Sequence, residues 1–188
     1  FDLFLSADES FIFSLADAGL LQDRGAIYGE GRLALFVPNG STLMADPSLD
    51  DLALAVADGR LSRLAIAAPD HAPYGKRAEE ALRHKGLWDA IEPRLVIGEN
   101  VAQAAQFAAS GNADAGIIAY ALTLSPDLAA QGTFALIPAD WHSPLIQRMA
   151  LRPDAAPLAQ QFYDYLQTPP AREILSRFGF ALPKGVQE

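Results

Sequence analysis

Hydrophobic and polar positions follow two rhythms along this chain. Apolar runs that do not alternate, RLAIAAP (63–69), RLVIGEN (94–100), DAGIIAY (114–120) and TFALIPAD (133–140), are separated by stretches with helical spacing, YGKRAEEALRHKG, VAQAAQFAASG and LTLSPDLAAQG. A short run that is apolar on both alternations is a strand buried on both faces. Such strands joined by amphipathic helices make a mainly parallel sheet with helical crossovers, hence an α/β fold. On the amino-terminal side, FDLFLS (1–6) alternates as a strand, and Ser6 with Glu9 has capping-box spacing. This predicts a helix from about Ala7 to Leu20, capped by Ser6. AIYGEGRLALFVPNGS reads as a Gly-rich bend followed by a strand over Leu33–Val37. In DPSLDDLALAVADGR (46–60), Asp46 is the expected N-cap, Pro47 the first helical residue and Gly59 the exit. LIQRMALR (145–152) reads as one more strand, PLAQQFYDYLQ and PAREILSRFGF as two closing helices divided by Pro169 and Pro170, and LPKGVQE as a loose polar tail.

The 188 residues suffice for one large domain or two small lobes. No apolar run approaches the ~20 residues of a membrane span. A net charge of -9 opposes nucleic-acid phosphates, so no nucleic-acid partner is expected. Without cysteine there are no disulfides or thiolate metal sites, a composition that tolerates an oxidising compartment. The three histidines, His71, His84 and His142, lack ligand spacing, so neither a protein-held metal nor a cofactor is expected. A chain that begins at Phe1 rather than Met is expected to be processed or truncated.

Candidate chemistry collects at two strand-to-helix elbows. In an open α/β sheet, ligands bind outside the carboxyl ends of the strands, where helix N-termini face a crevice. In APDHAPYGK, Pro73 has a φ suited to helix entry, and the amides of Tyr74, Gly75 and Lys76 follow in the first turn. In IGENVAQ, Asn100 is a natural N-cap, the Val101 amide faces outward, and Gly98 permits a close backbone approach. One such start usually has its amides bonded to water. Two from successive βα units describe a shared anion cradle. Asp70 and His71 are the alternative, an acid–base pair for an enzyme, although no nucleophile elbow accompanies them.

The HAPYG elbow, the GLWD turn and the GENV elbow, together with DLFLSADESFIFSLADAGLL, GNADAGIIAYALTLSP and FYDYLQTPPAREILSRFGF, resemble the periplasmic molybdate-binding proteins of ABC importers (the ModA type) over nearly the whole chain. The resemblance implies a type II periplasmic-binding-protein fold with two lobes, mainly parallel sheets and a hinge. Residues 1–36 and 139–188 would form lobe I, and 37–138 lobe II. It implies molybdate or tungstate held through its oxygens in the inter-lobe cleft by amides at Tyr74 and Val101, with Pro73, Gly75 and Asn100 shaping the elbows. Some members add a tyrosine hydroxyl; alignment falls on Ala119, with Tyr120 one place later. Family members begin with two further βα units, so lobe I is expected to be incomplete here. The resemblance further implies a non-enzymatic periplasmic protein, monomeric if complete, that delivers its oxyanion to a membrane permease. A binding or sensor domain for another small ligand, such as sulfate, is the alternative within the fold.

Donor chemistry bears on the choice of anion. Amides and hydroxyls can donate, so a cradle built from them suits a fully deprotonated dianion. Hydrogen phosphate would bring a proton with no acceptor, at a cost of ~1–3 kcal/mol. The acidic net charge does not oppose this, because exposed charges are screened over ~8 Å while the amides act at bond length.

Overall fold

The computed structural model describes residues 1–182; of the tail expected to be loose, only Leu182 falls within them. The elements are β1 (Leu3–Ser6), α1 (Glu9–Asp17), β2 (Ala26–Gly31), β3 (Leu33–Pro38), α2 (Asp50–Asp58), β4 (Leu64–Ala67), α3 (Pro73–His84), α4 (Trp88–Ile91), β5 (Leu95–Gly98), α5 (Val101–Ala109), β6 (Ala115–Ala119), α6 (Tyr120–Thr123), α7 (Pro126–Ala129), β7 (Gly132–Leu136), β8 (Leu145–Leu151), α8 (Pro157–Leu166) and α9 (Pro169–Arg177). Short 3-10 turns occupy Glu92–Arg94 and Ala139–Trp141. The chain divides into a first unit, Phe1–Gly31 with the chain from Pro144 onward, and a second unit, Arg32–Ser143. The boundaries expected from the sequence, 36/37 and 138/139, lie about five residues away. β3 has both its neighbours, β6 and β7, in the second unit, which carries Leu33–Val37 with them.

In the first unit three strands lie in the order β1-β8-β2, antiparallel throughout. The fully buried Ile12 of α1 and Ala150 of β8, with Leu21, form its packed centre, flanked by Phe4 and Phe13. The segment expected to be a Gly-rich bend is the strand β2. Its register on β8 shifts between Ile27 and Gly29, and a side chain at Gly29 would press on the Phe180 ring. The first helix starts two residues later than expected. Asp8, in extended conformation, is its N-cap and accepts from Ser10 N at 2.9 Å, while Ser6 Oγ donates to Asp8 O at 2.7 Å. Asp caps as well as Ser, and the one nearer the helix takes the role.

The second unit holds a five-stranded sheet in the order β5-β4-β6-β3-β7. β4 runs parallel to β5 and β6, whereas β3 is antiparallel to β6 and β7. The expected mainly parallel character therefore holds only for β5-β4-β6. Every residue of β3, β4 and β6 is buried, and a strand buried on both faces reads the same in either direction. LTLSPDLAAQG forms two single turns, α6 and α7, because Ser125 caps a new start with Pro126 at its first position.

The start of α2 is built differently from expectation. Asp46 lies outside the helix, and its carboxylate accepts from the amides of Ser48 (3.0 Å), Asp50 (2.7 Å) and Asp51 (3.3 Å). The N-cap itself is the buried Leu49 in a left-handed conformation, φ 55°. Gly59 ends the helix with φ 83°, as expected. Asp51 is nearly buried and accepts from Arg60 Nη2 at 2.9 Å and Met44 N at 2.7 Å. The Arg60 hydrogen bond is the main reason its carboxyl sits below the usual carboxylate range. For Asp46, burial works upward, but the Ser48, Asp50 and Asp51 donors outweigh it and its pKa is lowered too. Both carboxyls therefore add stability that is complete above their unfolded value, about 3.9, and is lost as pH falls through the lower folded values. Urea midpoints should fall steeply below about pH 4. Asp51→Asn should lower stability at pH 7 and flatten that acid slope; an unchanged slope in the variant would remove Asp51 from the account.

Candidate functional site

Because β5, β4 and β6 are parallel and adjacent, their carboxyl ends lie at one edge of the sheet. The sequence reading singled out residues at all three ends. Ala67 at the end of β4 pairs with Gly98 at the end of β5, and Ala68 N donates to Gly98 O at 2.8 Å. This bond ties the two elbows together at their origins, before α3 and α5 begin.

Glycine then brings each helix start onto its strand. A Cβ at Gly75 would stand 2.2 Å from Ala67 O and 2.7 Å from Ala68 C, so the first turn of α3 rests directly on the end of β4. A Cβ at Gly98 would stand 2.7 Å from Ala104 N and 3.0 Å from Asn100 O, so α5 turns equally tightly on the end of β5. In both cases the obstacle is main chain, which cannot rotate away as a side chain can. Close backbone approach is the reason for glycine at these two positions. The sequence signal was a Gly beside a helix start after a buried strand, but the need for it appears only in the packing.

The two starts are finished differently. The N-cap of α3 is Ala72, which has no side-chain oxygen to cap the turn; Pro73 occupies the first position, and Ala72 O accepts from Lys76 N at 3.1 Å. In α5 the Asn100 side chain accepts from Gln103 N at 3.0 Å, as expected of an N-cap. Gln103 Oε1 reaches back to accept from Glu99 N at 2.6 Å. This is a capping-box variant that satisfies two orphan donors and leaves the Val101 amide without a protein acceptor among the described residues. The three-residue spacing of Asn100 and Gln103 was legible beforehand, although it was not used. Each helix presents the positive end of its dipole at the same sheet edge, and α3 carries Arg83 and His84 in its last turn at the opposite pole.

Tyr74 is buried and Val101 is half-buried. Lys76, Asp70 and His71 are exposed. Tyr120 begins α6 at the end of β6. Its amide donates to Arg32 O at 2.8 Å, and its ring packs on Phe134 of β7, centroids 5.6 Å apart. The ring thus leans toward β3 and β7, on the side of β6 away from β4 and β5. Asp70 and His71 are not hydrogen-bonded to each other. Asp70 lines a cavity of about 390 Å³ with Glu79, Glu92, Trp88 and Ile97, across which the Arg83 guanidinium lies 4.9 Å from the Trp88 ring centroid. Among the described residues no cluster of His, Cys, Asp and Glu could hold a metal ion. The arrangement can donate hydrogen bonds from main-chain nitrogens at a positive helix pole, which is chemistry suited to an anion.

Residues 1–181 match the model of the family described as bacterial extracellular solute-binding protein. The chain is 35% identical to the molybdate-binding protein ModA of Rhodobacter capsulatus over 185 residues, covering 96% of this chain and 69% of that relative. It superposes on the periplasmic molybdate-binding protein of Azotobacter vinelandii with a TM-score of 0.85 and 28% identity, covering 98% of this chain and 79% of the other. The sulfate-binding protein SubI of Mycobacterium tuberculosis H37Rv shares the fold, with a TM-score of 0.70 at 16% identity, covering 98% of this chain and 69% of the other.

Proposed function

Because the chain belongs to the bacterial extracellular solute-binding proteins, as a relative of their molybdate-binding members, we propose that it binds molybdate or tungstate at the starts of α3 and α5 and delivers it to an ABC importer. One observation carries the assignment to these residues: two helix starts, joined at their roots by the Ala68–Gly98 hydrogen bond and backed by Gly75 and Gly98, present main-chain donors at one sheet edge. Tyr74 and Val101 supply the donors; Pro73, Gly75 and Asn100 set where they stand. Tyr120 packs beside the site rather than entering it.

The donors explain the choice of a tetrahedral dianion. Each charge-assisted hydrogen bond contributes about 1.5–3 kcal/mol, and no proton on the ligand needs an acceptor. The protein works by reversible binding, outside the cytoplasm, with a membrane permease as the recipient. It does not transform its ligand.

Thermal unfolding with added oxyanions tests this. A ligand present at about 1,000 times its Kd adds about 4 kcal/mol to the native state. Molybdate or tungstate should therefore raise Tm by several degrees, while phosphate leaves it in place. A shift with sulfate and none with molybdate would assign the cradle to the smaller dianion. A shift with none of the three dianions would refute the oxyanion site.

A further inference from the structure

The helix that opens toward the anion also grips the segment through which the chain leaves the second unit. Glu80, near the middle of α3, accepts from Ser143 N at 2.7 Å with Oε2 and from Arg77 Nη1 at 2.6 Å with Oε1. One turn further on, the His84 ring stacks on Trp141, centroids 5.1 Å apart and planes 19° from parallel. Lys85 Nζ lies 5.7 Å from the centroid of the same indole and is anchored by Asp50 Oδ1 at 2.7 Å. Ser143 is the last residue of the second unit. The helix making these contacts is itself fixed, since Ala78, Ala81 and Leu82 are fully buried against the sheet. Burial works upward on the Glu80 carboxyl, but the Ser143 amide and Arg77 outweigh it, so its pKa is lowered and the acceptor is charged at neutral pH.

We infer that Glu80 is a positioning residue for anion binding: it holds residues 139–143 to α3, so that the chain leaves the second unit in one direction before the ligand arrives. This rests on the anion site proposed above. Two amides cannot satisfy four oxygens, so the remaining ligands come from parts of the polypeptide outside α3 and α5. A segment ordered in advance adds no entropic cost at binding, whereas a loose one must be ordered at that moment.

The experiment compares the wild-type chain with Glu80→Ala and Glu80→Gln, using molybdate calorimetry well below each thermal midpoint and amide hydrogen exchange at Ser143. Glu80→Ala should speed Ser143 exchange and weaken molybdate binding about tenfold, the cost of ordering roughly one residue. Glu80→Gln keeps an oxygen facing Ser143 and should recover most of the affinity, which a purely charge-based role would not allow. Wild-type affinity in Glu80→Ala despite fast Ser143 exchange would overturn this inference alone, as would unchanged exchange. Absence of molybdate binding by the wild-type chain would overturn the site itself and this inference with it.

Discussion

Replacing Gly75 with alanine is expected to remove most of the molybdate affinity while leaving the protein folded. The added Cβ would stand 2.2 Å from Ala67 O and 2.6 Å from Ala67 C, against an ordinary contact of 3.4–4 Å. Both obstacles are backbone atoms in a fully buried strand, so the first turn of α3 must retreat by about 1 Å. Overpacking of this kind costs about 1–3 kcal/mol of stability, which a domain with an otherwise intact core survives. At the site the consequence is larger in relative terms. A donor amide moved by that distance no longer makes a charge-assisted bond worth about 1.5–3 kcal/mol. Affinity should fall about ten- to a hundredfold, measured by calorimetry. A variant that binds as tightly as wild type would show that the start of α3 is not where the anion sits.

The largest loss of stability is expected from Gly25→Ala, in the first unit. Gly25 has φ +58°, and a Cβ there would stand 1.8 Å from Met149 O and 2.8 Å from the Ala150 Cβ. The left-handed conformation costs alanine about 1–2 kcal/mol, and displacing β8 adds an overpacking term of similar size. The position also fastens its surroundings. Gly25 N donates to Asp23 Oδ1 at 2.7 Å, and Arg148 Nη1 donates to Gly25 O at 3.0 Å. Arg148 in turn donates to Glu9 Oε2 at 2.9 Å and lies over the Phe13 ring, so moving the turn disturbs the seat of α1. The expected loss is about 3 kcal/mol in urea unfolding. A loss below about 1 kcal/mol would mean that the turn yields without moving β8.

Much of the second unit was legible from residue pattern. RLAIAAP, RLVIGEN and DAGIIAY contain β4, β5 and β6, and the helices after the first two start at Pro73 and Val101, as Pro and Asn100 signalled. The misses have physical causes. β2 looked like a bend because Gly29 and Gly31 weaken a strand signal, yet pairing with β8 holds AIYGEG extended. Ser6 and Asp8 are both good caps, and only helix position separated them. The sense of β3 was unreadable because Leu33–Val37 are apolar at every position.

The amino-acid sequence by itself determined where strands end and helices begin, that the elbows at HAPYG and GENV offer main-chain donors, and that no cysteine or clustered histidine competes with them. These are properties of a few neighbouring residues, set by side-chain shape, capping and burial. Only the tertiary structure decided that the Ala67 and Gly98 ends lie side by side, that Gly75 and Gly98 each meet backbone where a Cβ would stand, and that Glu80 reaches Ser143. Such relations depend on strand order and packing across distant parts of the chain, and a local pattern carries no record of which distant segment it will meet.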